Sequence, residues 1–515
     1  MFGPAMVESS AMTLRTLRGR IGASRLAALA GGLVAAASFE PVGFGVAAPL
    51  SMGLLWWSIQ RETARGAAAA GLCFGLSFML PLMWWLEASI GFAAWLALGS
   101  AQALMLVVSA VGLHSIRTVP GAPLWGGLIW VTVETLRSNW PLGGMPWGRL
   151  GIAAIDTPWE PLLAYAGISG TGVLVASVGF ATAQIVSQRT AVTWGVLLIL
   201  VTGAFLAISI PVRLPVVGSA AVAAVQGGVP GDGTDLVAHH REVTRDHAKA
   251  TQSLAESLTS QARTVDLVVW PENATAVDPF DDSIARGEIQ RAARAVGAPL
   301  LAGAITDGPT EQTAFNRGIL WLPDGSASDF YTKSHPVPFG EYIPWRQVIG
   351  DWFPRFDEIP RDMLAGNDEG PLEVDGLTVA DAICFDVAYD DVLPAQVQDG
   401  ARLVVVQTSN ATFTGTSQPA QQFQITRARA VELGRAVVVA STNGISGIID
   451  ADGEVRAQTT SNSASVLVDD VDLHDALTPA VRYRVHRDLA ITAGTLLGLG
   501  WAWVIASAGR RPRRL

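Results

Sequence analysis

Three residues in the second half of the chain have side chains that together can carry out acyl transfer. Glu272, Lys333 and Cys384 each stand at the end of a short run with the composition of a β-strand. A carboxylate can accept the thiol proton, a thiolate can form a thioester, and an ammonium can stabilise the oxyanion of a tetrahedral intermediate. Singly, each has a plainer interpretation: a turn cap, a surface charge and a small core residue. Together they predict a thiol-based acyl-transfer site.

Cysteine and lysine usage supports this interpretation. The only other cysteine, Cys73, lies in an apolar stretch, so Cys384 has no apparent disulfide partner. Lysine occurs only at Lys249 and Lys333 among 35 basic residues. Because lysine can tune its pKa and arginine cannot, a lysine retained at position 333 is informative. The seven histidines show no metal-ligand spacing. We therefore expect no metal site.

The composition is that of a membrane protein. Of 515 residues, 50% are hydrophobic and 16% are charged, against about 25% charged residues in ordinary soluble proteins. The 17 tryptophans often lie at segment ends, as in an interfacial aromatic belt. A net charge of −10 without a basic patch argues against a nucleic-acid partner.

Apolar segments predict about eight membrane spans. They lie at residues 26–39, 42–59, 66–86, 90–113, 119–133, 161–186, 192–210 and 489–507. We therefore predict a polytopic α-helical membrane domain of about seven spans at 1–211 and a hydrophilic catalytic domain at 212–487. A final span with a basic cytoplasmic tail is predicted at 488–515.

The distribution of arginines predicts the orientation. They cluster before the first span, in alternate loops and after the last span, at Arg15, Arg18, Arg20, Arg25, Arg61, Arg65, Arg117, Arg189, Arg510, Arg511, Arg513 and Arg514. The intervening loops around Glu40 and Glu87 carry little positive charge, although Arg137 and Arg149 break the pattern. The positive-inside rule then places both termini in the cytoplasm and the catalytic domain outside it. The expected location is the cytoplasmic membrane, with multiple passes.

The hydrophilic block has the pattern of an α/β domain. Strands are predicted at 220–226, 265–270, 299–304, 318–322, 377–384, 403–407, 436–441 and 446–449. Helices are predicted at 239–261, 282–296 and 420–433. In the membrane segments, a charged Glu134 side chain exposed to lipid would carry a high free-energy cost, and we expect it to pair with Arg137 one turn later.

Several motifs resemble a known family. The segments WPEN at 270–273, KSHPVPFGEYIP at 333–344 and ICFD at 383–386 resemble the Glu, Lys and Cys motifs of the nitrilase (carbon-nitrogen hydrolase) superfamily. The match is closest to its membrane-embedded branch, the apolipoprotein N-acyltransferases. TSN at 408–410, RARAVELGR at 427–435, NGIS at 443–446 and GMPW at 144–147 add to the resemblance. It covers nearly the whole chain and implies an extracytoplasmic αββα sandwich with seven spans before it and one after.

The resemblance implies a role for each matching position. Cys384 would be the nucleophile, Glu272 the general base and Lys333 the oxyanion stabiliser. Glu341 matches the family's second glutamate, which supports the lysine. Trp147 matches an aromatic residue near the substrate entrance.

The chain departs from the family pattern near the expected lipid pocket. Phe385 and Asp386 stand where the family often has Tyr-Glu, and Asn410 is followed by Ala-Thr-Phe where the family often has Asp-x-Trp. Phe385, Asp386 and Asn410 are therefore candidate substrate-binding residues. The departures affect the expected substrate preference more than the expected reaction.

The implied activity is lipoprotein maturation in the lipid bilayer. An acyl chain would pass from a phospholipid through a Cys384 thioester to the α-amine of a diacylglyceryl-modified N-terminal cysteine of an apolipoprotein. No cofactor is implied, and we expect a monomer. One alternative is a membrane-anchored nitrilase-type amidase or hydrolase that uses water as the acceptor. Another is a non-catalytic membrane scaffold, although the presence of all three reactive residues argues against it.

Overall fold

The computed structural model describes residues 22–188, 190–230, 239–350, 354–367, 370–460 and 464–509. Contacts divide the chain into two compact units. The first comprises residues 1–139, 144–211 and 483–515, and the second comprises residues 140–143 and 212–482. Most of the terminal arginines used to predict orientation, and Arg189, lie outside the described residues.

The first unit, called the membrane unit below, consists of apolar helices. In chain order they are α1 (Gly22–Ala37), α2 (Ala48–Ile59), α3 (Ala64–Leu82), α4 (Trp85–Ser89), α5 (Phe92–Ile116), α6 (Ala122–Asn139), α7 (Leu162–Ser187), α8 (Ala191–Ser209) and α15 (Arg484–Gly509). All eight predicted spans fall on these helices. Among the described residues, five helices (α3, α5, α7, α8 and α15) are long and apolar enough to cross a membrane.

The second unit, called the catalytic unit below, contains two β-sheets. Its strands are β1 (Gly218–Gln226), β2 (Leu267–Val269), β3 (Leu300–Asp307), β4 (Thr313–Trp321), β5 (Ala327–Thr332), β6 (Asp362–Met363), β7 (Leu372–Val374), β8 (Leu377–Ile383), β9 (Leu403–Thr408), β10 (Val437–Ser441), β11 (Gly447–Ile449), β12 (Val455–Gln458) and β13 (Ser465–Leu473). One sheet has the order β13-β1-β2-β3-β4-β5, with β6 beside β4, and the other has the order β12-β11-β10-β9-β8-β7.

The two sheets pack face to face. The Gln407 side chain on β9 donates to the carbonyl of Trp270, which follows β2, at 2.6 Å. Gly318 on β4 lies at the same interface, where an added Cβ would come within 2.3 Å of side-chain oxygens of Asp381 and Gln407. Glycine is therefore required there because the sheets approach too closely for a side chain.

The catalytic unit also contains helices. They are α9 (His240–Ser260), α10 (Ser283–Val296), α11 (Arg346–Ile349), α12 (Val392–Gln398), α13 (Gln418–Leu433) and α14 (Pro479–Arg482). α9 and α10 pack on the first sheet, around a buried apolar core that includes Trp270 and Trp321. α12 and α13 contact the second sheet. The catalytic unit is an αββα sandwich, as the motifs implied.

Local signals explain why two of the predicted helices begin and end where they do. Asp282 caps the start of α10 by accepting from the backbone amides of Ile284 and Ala285, each at 2.9 Å. Gly434 ends α13 at a φ of 62°, a conformation that favours glycine. The predicted bounds of these helices therefore lie close to the observed ones.

Candidate active site

Glu272 is held at the centre of the candidate site by three donors. It follows β2 and is 3% exposed. Its Oε1 accepts from Lys333 Nζ at 3.0 Å and from Asn316 Nδ2 at 2.7 Å. Its Oε2 accepts from the Ser409 amide at 2.9 Å. These contacts fix one orientation of the carboxylate, as a positioned base requires.

Lys333 bridges two carboxylates. It follows β5, and its ammonium donates to Glu272 and, at 2.9 Å, to Glu341 Oε1. Burial lowers the pKa of Lys333, but the carboxylates of Glu272 and Glu341 raise it more, so the pKa lies well above its usual range. The site therefore holds a permanently charged ammonium at neutral pH, which is the group an oxyanion needs.

Glu341 supports the lysine from a separate segment. Its Oε1 accepts from Lys333, and its Oε2 accepts from the Val337 amide at 2.7 Å. Burial raises the pKa of Glu341 above its ordinary value, and Glu272 raises it further, while Lys333 opposes both effects. The predicted supporting residue thus lies in contact with the ammonium.

Asn316 is part of the cluster, although the sequence analysis did not identify it. It lies on β4, is 1% exposed, and its Nδ2 donates to Glu272 and, at 3.2 Å, to Glu341 Oε1. Its carbonyl also accepts from the Lys333 amide at 2.9 Å. The predicted strand began at residue 318, two residues too late to include it. Its neighbours, Phe315 and Arg317, form no continuous apolar run, so the local sequence carries no clear signal that could have found it.

Cys384 begins a turn at the end of β8. It is the first residue of a 3₁₀ turn, Cys384–Ala388, and has a φ of 53°. A left-handed conformation is uncommon for a residue with a Cβ and is typical of strained functional positions. Burial, and secondly Glu272, raise the pKa of the thiol to about 12, while the charge of Lys333 opposes this. The resting group is therefore a thiol that needs a base.

Asp386 ties the cysteine turn to the segment around Lys333. It is fully buried, and its Oδ2 accepts from the Tyr331 hydroxyl at 2.8 Å. Its Oδ1 accepts from the His335 amide at 2.8 Å. Burial raises the pKa of Asp386. These contacts favour a role in positioning, and substrate contact by Asp386 stays a prediction.

Arg429 on α13 anchors the other end of the cysteine turn. It is fully buried and donates to the carbonyls of Val387 at 2.9 Å, Ala388 at 3.0 Å and Tyr389 at 2.8 Å. It also pairs with Glu432. These carbonyls lie at the end of the 3₁₀ turn, where they have no partner within the turn. By binding them, Arg429 fixes the path of the chain just after the nucleophile.

The other predicted substrate-binding residues occupy different settings. Phe385 packs edge-on against Tyr389, with ring centroids 5.2 Å apart. Asn410 is 4% exposed and donates to Gln418 and Gln422, each at 2.8 Å. The contacts of Asn410 are those of a buried polar network. Substrate binding by either residue stays a prediction.

Trp147 belongs to the membrane unit, in a loop held by two buried charges. Its carbonyl accepts from Arg137 at 2.7 Å, and its ring packs on Trp85 at 5.8 Å. Glu134 accepts from Trp130 and from the Leu150 amide, each at 2.9 Å. The hydrogen bonds of Glu134 therefore go to Trp130 on α6 and to the loop after α6, and a direct pair with Arg137 stays a prediction.

Among the described residues, one cluster of three aspartates has the spacing of a cation site. Side-chain oxygens of Asp278, Asp281 and Asp307 lie within 4.8 Å of one another. Arg361 pairs with Asp307 at 2.5 Å, and Asp278 accepts from the Phe280 amide at 2.7 Å. Protein groups therefore already satisfy part of this cluster, and it lies outside the Glu-Lys-Cys arrangement.

Two family models match the chain. The apolipoprotein N-acyltransferase N-terminal domain matches residues 31–181, and the carbon-nitrogen hydrolase family matches residues 221–478. An apolipoprotein N-acyltransferase of Mycolicibacterium smegmatis is 33% identical over 489 residues, which cover 89% of this chain and 81% of that protein. The chain belongs to the apolipoprotein N-acyltransferase family. It is therefore an acyltransferase.

More distant relatives and some solved structures are also similar to this chain. The apolipoprotein N-acyltransferase of Pseudomonas syringae pv. tomato is 28% identical, over 93% of this chain and 96% of that protein. Among solved structures, an amidase from Nesterenkonia sp. covers 53% of this chain and 98% of its own, with 18% identity and a TM-score of 0.36. A carbon-nitrogen hydrolase from Helicobacter pylori covers 53% and 94%, with 16% identity and a TM-score of 0.37.

Proposed function

We propose that this apolipoprotein N-acyltransferase transfers a phospholipid acyl chain through a Cys384 thioester to the N-terminal amine of a diacylglyceryl-modified apolipoprotein. The observation that carries the proposal is the buried ammonium of Lys333, held between Glu272 and Glu341 beside the thiol. A cation, a base and a soft nucleophile in one site are the components of thioester-mediated acyl transfer.

The first half-reaction forms the acyl-enzyme. Glu272 accepts the Cys384 proton as the sulfur attacks the ester carbonyl of the phospholipid. Lys333 stabilises the resulting oxyanion. When the intermediate collapses, the carbon–oxygen bond breaks, and the leaving glyceryl oxygen takes the proton from Glu272. A lysophospholipid departs and the acyl chain remains on sulfur.

The second half-reaction forms the amide. The α-amine of the acceptor attacks the thioester, Glu272 takes a proton from the attacking nitrogen, and Lys333 again stabilises the oxyanion. The carbon–sulfur bond then breaks, and the thiolate recovers its proton from Glu272. Because an amide is more stable than a thioester, this step runs downhill. No step of the proposal requires a cofactor.

The proposed setting is the outer face of the cytoplasmic membrane. Eight helical segments would span the bilayer, with both termini in the cytoplasm and the catalytic unit outside. Loop charges support this orientation, and the apolar helices support membrane insertion. The enzyme would act as a monomer on substrates that reach it laterally through the bilayer. Trp147, Phe385, Asp386 and Asn410 are the proposed contributors to substrate binding.

Intact-mass spectrometry tests the first half-reaction. After incubation with phospholipid in detergent, the full chain should gain one acyl group that neutral hydroxylamine removes, because thioesters are labile to it. Cys384→Ser should not gain a hydroxylamine-labile group, whereas Cys73→Ala should behave as the parent chain. If the parent chain gains no such group, and so behaves as the Cys384→Ser variant does, the result contradicts the proposal.

A second measurement separates the acyltransferase from the amidase alternative. The acyl-enzyme is mixed with a peptide that carries a diacylglyceryl N-terminal cysteine, and both the peptide mass and the free fatty acid are followed. The proposal expects the acyl group on the peptide amine. Appearance of the acyl group only as free fatty acid, at a rate unaffected by the peptide, favours the hydrolase.

A further inference from the structure

Thr408 lies beside the nucleophile at the end of the neighbouring strand. β8 and β9 are parallel, with Ile383 opposite Gln407 in the register. The next residues, Cys384 and Thr408, therefore leave the sheet side by side at its carboxyl edge. Thr408 is 2% exposed, and its carbonyl accepts from the Thr442 amide at 3.1 Å, which fixes the strand end. A hydroxyl is thus buried next to the reactive thiol.

The Thr408 hydroxyl has only long contacts on its far side. Its Oγ1 is 3.2 Å from Asn410 Oδ1 and 3.3 Å from Gln422 Oε1. Both acceptors have other donors. Ser441 donates to Asn410 Oδ1 at 3.1 Å, and Gln422 Oε1 accepts from Asn410 at 2.8 Å and from Gln418 at 3.1 Å. Neither oxygen depends on the Thr408 hydrogen, so that hydrogen is available to the sulfur.

We propose that the Thr408 hydroxyl donates a hydrogen bond to the Cys384 sulfur and stabilises the thiolate that forms during both half-reactions. The role in the half-reactions rests on the proposed function, whereas the effect on the thiol itself does not. In the resting site the hydroxyl can donate to Asn410 or Gln422. Rotation about its C–O bond redirects the hydrogen to sulfur once the thiol proton has moved to Glu272.

The electrostatics of the site explain why a neutral donor is useful there. Burial and the negative charge of Glu272 both disfavour the thiolate. The cation that opposes them, Lys333, is shared with two carboxylates. A hydroxyl stabilises developing negative charge without adding a second cation, which would make Glu272 a weaker proton acceptor. A hydrogen bond to a charged group is worth about tenfold or more in an equilibrium.

The pH dependence of Cys384 alkylation tests the proposal in the absence of any lipid. The full chain in detergent, in a Cys73→Ala background, is treated with iodoacetamide from pH 7 to pH 10, and modification is followed by mass spectrometry. Thr408→Val keeps the shape but removes the hydroxyl, so its alkylation should be about tenfold slower at each pH below the thiol pKa. Thr408→Ser keeps the hydroxyl and should follow the parent chain.

A purely structural role for Thr408 predicts the opposite order. Valine would then preserve the packing and behave as the parent chain, whereas serine, which lacks the methyl group, would be impaired. That order, or equal rates in all three chains, overturns the proposal. Thr426→Val is the matched control, because it removes a buried hydroxyl that bonds only the Gln422 carbonyl of its own helix. If Thr408→Val is not recovered from membranes, Thr408→Ala replaces it.

The same variants tested with phospholipid separate this inference from the proposed function. Slower acyl-enzyme formation in Thr408→Val, matching its slower alkylation, extends the role to the reaction. Absence of any acyl-enzyme in the parent chain overturns the proposed function, while the alkylation series still decides the role of Thr408 in stabilising the thiolate.

Discussion

At the scale of single residues, the candidate site depends on one buried cation. Lys333 is 1% exposed and balances Glu272 and Glu341, with Asn316 donating to both carboxylates. Removing one partner of such a buried cluster leaves charges that are neither paired nor hydrated. Lysine at this position therefore affects both the fold around the site and the chemistry proposed for it.

Lys333→Met should abolish most of the acyl-enzyme formation. We expect a rate loss of about 10² to 10³ or more, the usual effect of deleting one oxyanion donor. The remaining lysine provides a matched control, because Lys249 is exposed and pairs only with Asp246 at 3.2 Å. Lys249→Met should retain the parent rate. Equal rates for the two variants, measured by hydroxylamine-labile mass gain, would contradict the role proposed for Lys333.

At the scale of secondary-structure elements, α9 connects to the strand end that carries Glu272. His247 on α9 is fully buried, packs against Trp270 at 5.6 Å, and accepts from the Gly227 amide at 3.1 Å. Its other ring nitrogen lies 2.8 Å from the Val243 carbonyl. Burial lowers the pKa of His247 to about 4. A neutral imidazole thus joins α9, the end of β1 and the strand before Glu272.

The stability of the catalytic unit should fall between pH 7 and pH 4 through His247. Because the folded-state pKa lies below the unfolded value of about 6.5, the unfolded chain binds the extra proton in this range. The loss approaches about 3 kcal/mol near pH 4. His247→Gln should be less stable at pH 7, but its thermal unfolding temperature, followed by tryptophan fluorescence in detergent, should depend less on pH. Identical pH dependence in both chains would exclude this contribution.

Strand prediction succeeded or failed according to burial. β8, β9 and β10 are buried along nearly their whole length. The sequences of β9 and β10 are rich in valine, the pattern of central parallel strands, and that of β8 is mostly apolar. β13 was missed because Asp469, Asp470 and Asp472 interrupt it. It pairs antiparallel with β1 over nine residues at the edge of the first sheet. Half-exposed edge strands carry polar residues, so their sequences resemble loops.

At the scale of the whole molecule, the chain combines a membrane unit with a catalytic unit of different composition. Hydropathy alone located the helical segments, because a bilayer requires long apolar stretches. Within the part of the chain that the structure describes, three of the eight segments (α1, α2 and α6) fall short of a full span in length or apolarity. α6 contains Glu134 and Arg137, which are both buried in the membrane unit.

The proposed orientation can be tested by labelling with a membrane-impermeant maleimide. In a chain without its two native cysteines, Lys249→Cys places a thiol on the exposed surface of α9. This thiol should react in cells whose cell wall has been removed but whose cytoplasmic membrane is intact. A cysteine replacing Arg510 in the basic tail should react only after the cells are permeabilised. The reverse pattern would place the catalytic unit in the cytoplasm.

The sequence alone determined the reactive residue types, the alternation of strands and helices, and the family, because motifs and apolar periodicity are local properties of a chain. It identified Glu272, Lys333, Glu341 and Cys384 as residues of one site. The tertiary structure alone decided which groups meet them. Asn316, Thr408 and Arg429 lie 17 or more residues from their partners in the site or its turn, and strand register and sheet packing bring them there. Such long-range contacts depend on how the elements pack, and no local pattern encodes that.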